Sequence, residues 1–214
     1  MLTGQVTGLK MSDSLFHGYP IGWGDGKDSY LVDNTADAVT EAIGAGTDTI
    51  YTTTAYTLAM GTSIKTLTVY DRLTTNAQNL IGNELGQTIY GNNGANTIDG
   101  KGGNDTLFGL NGADNFAFTT ALGAGNVDTI TGFSVTDDTI LIDNAVFTGL
   151  LDGSLAAGAF NTGSAATQGD DHIIYNSATG ALLFDVDGVG GAAGVQFATL
   201  TAGLALTSAD FLVI

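Results

Sequence analysis

Residues 82–117 consist of four consecutive nonapeptides that share one pattern: GNELGQTIY (82–90), GNNGANTID (91–99), GKGGNDTLF (100–108) and GLNGADNFA (109–117). Each begins with glycine, and three have a second glycine at the fourth place. The sixth place always carries a side-chain oxygen and the eighth place an apolar side chain. Because glycine accepts backbone conformations that other residues resist, and a fixed period is the signature of repeat architectures, the segment predicts a solenoid with a nine-residue unit.

The pattern resembles the RTX, or hemolysin-type calcium-binding, repeat G-G-x-G-x-D-x-U-x. The resemblance implies that six residues form a turn whose carbonyl and carboxylate oxygens face Ca²⁺, while three form a short strand that points residue eight inward. Two nonapeptides then complete one coil. Side chains eighteen residues apart should therefore stack and share an ion, Asn96 with Asp114 as the better site and Gln87 with Asp105 as a degenerate one.

Two upstream segments follow the same pattern. They are WGDGKDSYLVD at 23–33 and IGAGTDTIY at 43–51, with Asp28 and Asp48 in the sixth place. Their spacing of twenty residues predicts a looser coil in which these two aspartates bind another ion. Between them, Glu41 is either an additional oxygen ligand or a solvated acid.

Downstream, the segments 123–133 (GAGNVDTITGF) and 137–143 (DDTILID) resemble the part that closes an RTX roll. Asp128 is expected to lie on the side of Asp105. Residues 172–187 (HIIYNSATGALLFDVD) predict a β-hairpin, and VQFATL at 195–200 predicts a further strand. In the turn that follows the hairpin, Asp185 and Asp187 are candidate calcium ligands, although the turn lacks the length and ligand order of an EF-hand.

The last five residues, DFLVI, resemble the uncleaved C-terminal export signal of type I secreted RTX proteins, such as serralysin-like proteins. The alternative interpretation of this segment is an ordinary edge strand. The predicted fold is all-β, a calcium-stabilised parallel β-roll (a right-handed β-helix of nonapeptides) followed by a C-terminal antiparallel β-rich cap. The predicted domains are 1–22 of unknown role, 23–81 a degenerate roll, 82–117 the repeats, and 118–214 the cap with the secretion signal.

The predicted metal site uses Ca²⁺ as its only cofactor, since every candidate ligand is an oxygen. Its candidate residues fall into two groups, side-chain ligands and the glycines that shape the turns. They are Asp28, Asp48, Asn96, Asp105, Asp114, Asp128, Asp185 and Asp187, with Gly91, Gly94, Gly100, Gly103, Gly109 and Gly112.

Composition supports a divalent cation and excludes several partners. Twenty-two acidic residues against five basic ones give a net charge of −17, which would repel a phosphate backbone and would push a compact chain apart unless cations neutralise it. The chain has no cysteine, so neither disulfides nor thiolate metal sites can form. No stretch approaches a membrane-spanning length, and the N-terminal residues lack the features of a cleaved signal peptide.

The sequence predicts no catalytic residues. The two histidines, His17 and His172, are far apart and do not form a metzincin motif, and no G-x-S-x-G element occurs. We therefore expect a non-enzymatic protein that is exported by the type I (ABC) secretion machinery, folds on extracellular calcium and self-assembles at the cell surface or in a matrix. The alternative is the secretion and folding module of a larger RTX enzyme, toxin or adhesin; for a carbohydrate-binding role, Trp23 is the lone aromatic candidate.

Overall fold

The fold is built almost entirely from β-strands, which confirms the predicted class. The computed structural model describes residues 9–11 and 26–214. Within these residues two 3-10 turns occur, at Ala157–Ala159 and Ser208–Asp210. None of the helical elements in this part of the chain has the length and hydrophobicity of a membrane-spanning helix. Most of the predicted N-terminal segment, and Trp23, lie outside the described residues. The strands are β1 (Leu9–Met11), β2 (Ser29–Val32), β3 (Asp48–Thr52), β4 (Tyr56–Thr57), β5 (Ile64–Val69), β6 (Leu80–Ile81), β7 (Thr88–Tyr90), β8 (Thr97–Asp99), β9 (Thr106–Phe108), β10 (Asn115–Phe118), β11 (Asp128–Thr131), β12 (Thr139–Ile142), β13 (Gly153–Ser154), β14 (Phe160–Thr162), β15 (Ile173–Asn176), β16 (Ala181–Phe184), β17 (Val195–Thr199) and β18 (Phe211–Val213).

These strands form two sheets, which we call the long sheet and the short sheet. The long sheet has the order β1-β2-β3-β5-β7-β9-β11-β17-β16-β15-β14, and the short sheet has the order β13-β18-β12-β10-β8-β6-β4. From β3 to β12 successive strands alternate between the two sheets, and neighbours within a sheet pair in parallel. The result is a parallel β-solenoid of about six turns, as the repeat pattern predicts.

The register of the repeats follows the nine-residue unit. Thr88 lies opposite Thr106 in the long sheet, and Thr97 lies opposite Asn115 in the short sheet. Both offsets are eighteen residues, so two nonapeptides make one coil. We refer to residues 82–99 as the first coil and to residues 100–117 as the second coil.

The core lies between the two sheets and is supplied by the eighth place of each nonapeptide. Ile89, Ile98 and Leu107 are 0% exposed and Phe116 is 1% exposed. Burying a side chain of this size stabilises a fold by about 1.5–3 kcal/mol. The inward direction of residue eight follows from the alternation of side chains along a strand, and it holds the turns at the two flanks of the roll.

Upstream of the repeats the coils are less regular. Ser29 pairs with Thr49, an offset of twenty residues, and the pairing of β3 with β5 contains a register shift between Asp48 and Thr49. The predicted continuation of the roll through residues 49–71 is present as β3, β4 and β5.

The C-terminal part combines antiparallel and parallel pairing. Strands β15 and β16 form the predicted hairpin, with Gly180 at φ +82° in the turn, and β17 joins it while also pairing in parallel with β11. Strand β18 lies between β12 and β13, so residues 211–213 form an interior strand and the edge-strand alternative is wrong. Because parallel pairing continues through β11 and β12, the roll extends beyond residue 117, and the domain boundaries stay predictions.

Candidate calcium-binding turns

Two columns of polar side chains run along the roll, one at each flank. The long-sheet column contains Gln87 and Asp105, which precede β7 and β9, and Asp128, which is the first residue of β11. The short-sheet column contains Asn96, Asp114 and Asp138, which precede β8, β10 and β12. All six side chains are buried, with exposures of 0–6%.

In the long-sheet column each aspartate bonds to the backbone of the preceding turn. Asp105 Oδ1 accepts a hydrogen bond from the backbone N–H of Gln87 at 2.6 Å. Asp128 Oδ1 accepts one from the backbone N–H of Asp105 at 3.0 Å. Successive turns are therefore joined through carboxylates.

The short-sheet column repeats this arrangement. Asp114 Oδ1 accepts from the backbone N–H of Asn96 at 2.8 Å, and Asp138 Oδ1 accepts from the backbone N–H of Asp114 at 2.9 Å. Asp138 Oδ2 also accepts from the backbone N–H of Ser134 at 2.8 Å. The structure thus brings Asn96 next to Asp114, and Gln87 next to Asp105, in the pairs that the eighteen-residue spacing predicts.

The second oxygens of two of these carboxylates have no hydrogen-bond donor. Asp105 Oδ2 and Asp114 Oδ2 are buried, and no protein group of the described chain bonds to them when they are ionised. A buried carboxylate without a partner is costly, and it is normally paired, protonated or bound to a metal. These two oxygens therefore mark positions that need a cation or a proton.

The glycine at the first place of each repeat makes room for the sixth side chain. A Cβ atom on Gly100 would lie 2.4 Å from Asp105 Oδ2, and one on Gly109 would lie 2.2 Å from Asp114 Oδ2. At Gly91 the same atom would lie 2.3 Å from Asn96 Oδ1. The first glycine is thus required because the polar side chain folds back over its own turn.

The glycine at the fourth place allows adjacent coils to approach. A Cβ atom would lie 2.5 Å from a backbone oxygen at Gly94 and at Gly112, and 2.6 Å from a backbone nitrogen at Gly103. Gly103 and Gly112 also have positive φ, +96° and +127°, which other residues rarely adopt. Both kinds of glycine therefore shape the turns without contributing side-chain ligands.

The residues present fit a hard cation with oxygen ligands. In the described part of the chain no three His, Cys, Asp or Glu side chains come together as a metal cluster. Backbone carbonyls would have to complete a coordination sphere, which suits Ca²⁺ because it takes six to eight oxygens in flexible geometry and accepts carbonyls. The family model of the RTX calcium-binding nonapeptide repeat matches residues 81–116 in four copies.

Residues 81–116 of the chain are RTX repeats. These repeats are calcium-binding repeats, so Ca²⁺ is the ion that the columns would hold. A comparison with curated proteins found no match. The matched segment spans the first coil and all of the second coil except its last residue, so the remaining turns have to be judged on their own geometry.

Asp138 is a candidate calcium ligand that the sequence prediction missed. It stands one coil beyond Asp114 in the same column, 24 residues later, because the intervening turn is longer than in the repeats. A signal was available: Asp138-Thr139-Ile140 has the same order of residue types as Asp48-Thr49-Ile50 and Asp128-Thr129-Ile130. An aspartate followed by threonine and an inward isoleucine marks the turn-to-strand junction even where the glycines are absent.

Replacing Asp138 with asparagine is expected to weaken calcium binding by about tenfold to a hundredfold, or about 1.4–2.8 kcal/mol, because a negative ligand oxygen becomes neutral. Asparagine retains an oxygen for the Asp114 N–H, so the calcium-free fold should persist. Calorimetric titration with calcium would measure the change. Asp137→Asn is the matched control, since Asp137 is adjacent and exposed and bonds the Ser134 hydroxyl; equal losses in the two variants would argue against a role for Asp138.

The columns also predict how stability depends on pH. Burial, reinforced by the charge of Asp128, raises the pKa of Asp105, and burial raises the pKa of Asp128. Burial likewise raises the pKa of Asp114 from its ordinary value to about 6. An aspartate whose pKa is higher in the folded state stabilises the fold when it is protonated, and that contribution is lost as pH rises through the folded-state pKa.

Without calcium, the urea midpoint is therefore expected to fall steadily between about pH 5 and pH 9, as Asp114 and then the Asp105–Asp128 pair lose their protons. With excess calcium the decrease should be smaller or reversed, because only ionised carboxylates bind the ion. Asp105→Asn should flatten the calcium-free profile. A calcium-free midpoint that rises with pH would contradict the assignment.

The upstream pair has similar geometry. Asp48 Oδ1 accepts from the backbone N–H of Asp28 at 2.9 Å, and Asp48 Oδ2 is buried without a hydrogen-bond partner. Their role as calcium ligands stays a prediction. Glu41, in contrast, is 5% exposed and accepts a hydrogen bond from the Tyr30 hydroxyl, so it is not a solvated acid.

The turn after the hairpin uses its carboxylates locally. Asp187 Oδ2 accepts from the backbone N–H groups of Gly191 and Ala192 at 2.9 and 3.3 Å, and Asp185 Oδ1 accepts from that of Asp187 at 3.3 Å. The His172 ring nitrogen Nδ1 lies 2.8 Å from the Asp185 carbonyl oxygen. A calcium role for Asp185 and Asp187 stays a prediction.

Proposed function

We propose that this is a non-enzymatic, extracellular calcium-binding protein whose roll becomes fully stable only when calcium binds. The observation that carries the proposal is the pair of buried, unpartnered oxygens on Asp105 and Asp114 within columns of further carboxylates. Calcium would supply the positive charge that offsets these carboxylates and part of the net charge of −17. Its binding free energy then contributes to folding free energy.

Export before folding is the second element of the proposal. Extracellular calcium modules bind with a Kd of about 10⁻⁴ to 10⁻³ M, so a roll of this kind stays unneutralised in a calcium-poor cytosol. RTX repeats are typical of secreted proteins. We assign export to the type I secretion machinery on the resemblance of residues 210–214 to its signal, although Phe211 and Val213 are also buried in the final fold.

Self-association is the third element. Sheet edges offer unpaired backbone groups to a second copy, and the long sheet ends in the three-residue strand β14. Large apolar side chains, among them Met60 (85% exposed) and Leu151 (85% exposed), stand on the surface of an otherwise acidic chain. A contact that does not close on itself would give fibres or sheets at the cell surface.

Negative-stain microscopy with millimolar calcium and with EGTA tests the assembly. Polymers that form in calcium and disperse in EGTA are the expected result. Stable monomers at high protein concentration in calcium would instead support the alternative function, a secretion and folding module that serves a larger RTX enzyme, toxin or adhesin. Magnesium at equal concentration is the control, because it prefers rigid octahedral sites with several retained waters.

A further inference from the structure

We infer that the two coils of the repeat array are held by different chemistry: side-chain amides close the turns of the first coil, whereas calcium closes those of the second. The inference rests on the proposed calcium function of the columns and specifies which turns take the ion. It departs from the prediction that Asn96 shares an ion with Asp114. The side-chain amide of Asn96 would instead donate hydrogen bonds to the oxygens that a calcium ion would otherwise bind.

In the first coil the second and sixth places bond to each other. Gln87 Nε2 donates to Asn83 Oδ1 at 2.7 Å, and Gln87 Oε1 accepts from the backbone N–H of Asn83 at 3.2 Å. Asn96 Nδ2 donates to Asn92 Oδ1 at 3.0 Å, and Asn96 Oδ1 accepts from the backbone N–H of Asn92 at 2.9 Å. Both turns therefore contain a closed amide pair with its own donors and acceptors.

The same amides also join the first coil to the coil before it. Asn83 Nδ2 donates to the carbonyls of Ala59 and Thr62, at 2.9 and 2.8 Å. Asn92 Nδ2 donates to the Asn76 carbonyl at 2.8 Å, and Asn96 Nδ2 donates to the Gln78 carbonyl at 3.0 Å. Amide N–H groups thus point at backbone carbonyls, which are the oxygens that a calcium ion would otherwise bind in such a turn.

In the second coil this amide network is missing from the corresponding places. The second-place residues are Lys101 and Leu110, the two non-glycine residues with positive φ in the described chain, at 68° and 81°. The Lys101 ammonium is engaged elsewhere, 2.9 Å from Asp99 Oδ2 and 2.7 Å from the Thr119 hydroxyl oxygen. Leu110 has no polar group to offer, so neither side chain can donate to the sixth-place carboxylate.

The two arrangements exclude each other on electrostatic grounds. An amide nitrogen carries two hydrogens with partial positive charge, and a cation placed against them would be repelled. A carboxylate in the same position has only acceptors, so Asp105 and Asp114 retain oxygens without donors. Neutral turns in the first coil therefore need no ion, and acidic turns in the second coil do.

The test uses the full chain and a pair of opposite substitutions in the short-sheet column, Asn96→Asp and Asp114→Asn. Calcium per chain is counted by native mass spectrometry, and urea midpoints are measured in EGTA and in calcium. Asn96→Asp should bind one additional calcium ion, lower the midpoint in EGTA and recover it in calcium, because its new oxygen faces the oxygens of Asn92 and Gln78. Asp114→Asn should bind fewer ions and have a higher midpoint in EGTA.

Gln87→Glu provides a second probe if Asn96→Asp does not fold, and the same gain of one ion is expected. An unchanged calcium count in both added-acid variants, with wild-type midpoints in EGTA, would overturn the inference while leaving calcium binding by the protein intact. A wild-type chain that binds no calcium would overturn the proposed function itself. The two failures are thus distinguished by the wild-type count.

Discussion

Removal of calcium with EGTA at about pH 8 is expected to convert most of the β-rich circular dichroism spectrum into that of an unfolded chain. At this pH Asp114, with a pKa of about 6, is ionised, and the Asp105–Asp128 pair is losing its protons, so without calcium the repulsion between these carboxylates is no longer offset. A calcium site at a hundred times its Kd adds about 2.7 kcal/mol to the free energy of unfolding. Several such sites together therefore contribute an amount comparable with the whole stability of a typical domain, about 5–15 kcal/mol. Hydrogen exchange should increase most in residues 100–142.

Restoration by calcium is the control for this result. Addition of millimolar calcium after EGTA should return the spectrum, and an equal concentration of magnesium should not, because magnesium demands near-ideal octahedral geometry. Full β structure in EGTA at this pH, with unchanged hydrogen exchange in residues 100–142, would contradict the proposed role of the columns.

Replacement of Gly109 by alanine is expected to have the second largest effect. The new Cβ would lie 2.2 Å from Asp114 Oδ2 and 2.7 Å from Asp114 Cγ, so the carboxylate has to leave its position over the turn. Overpacking of this kind costs about 1–3 kcal/mol, and calcium affinity should fall by about tenfold or more in addition. Urea denaturation and calcium titration measure the two effects separately.

Gly123→Ala is the matched control, because a Cβ there meets nothing within 4 Å and the residue has no positive φ. The stability lost in Gly109→Ala should also depend on the Asp114 side chain. In a double-mutant cycle with Asp114→Ala, the destabilisation by Gly109→Ala should largely disappear. A cost that persists in the absence of the Asp114 side chain would mean that glycine is needed at residue 109 for another reason.

Sequence reasoning predicts the fold to the extent that the fold is local and periodic. The inward direction of Ile98 and Phe116, the eighteen-residue coil and the pairing of Asn96 with Asp114 all follow from a nine-residue period and the alternation of side chains in a strand. The hairpin of β15 and β16 was equally accessible, since two apolar runs flank a turn that ends in Gly180.

Features that depend on contacts between distant residues were harder to predict from the sequence. Asp138 was not predicted because the turn before it is longer than in the repeats, so the nine-residue period does not lead from Asp114 to Asp138. Glu41 is buried by its contact with Tyr30 eleven residues away, although a lone glutamate in a polar segment suggests solvent. The division between amide and carboxylate turns required the direction of each side-chain nitrogen, which residue types alone do not specify.

The position of β18 in the short sheet could not be predicted either, because it depends on a partner that is distant in sequence. Its parallel partner β12 ends about seventy residues earlier, and no local pattern connects the two strands. A short apolar segment at a chain end is compatible with an edge, an interior strand or an export signal, and only tertiary pairing separates the first two.

Strands β7 and β9 pair with the same eighteen-residue offset as β8 and β10, so each eighteen-residue coil is one repeating step of the solenoid. Each coil touches mainly the coil before and the coil after it, so gene duplication in steps of fifty-four nucleotides could lengthen the molecule without redesigning either terminus. The spacing between the two ends of such a protein is then adjustable in increments of about 4.8 Å.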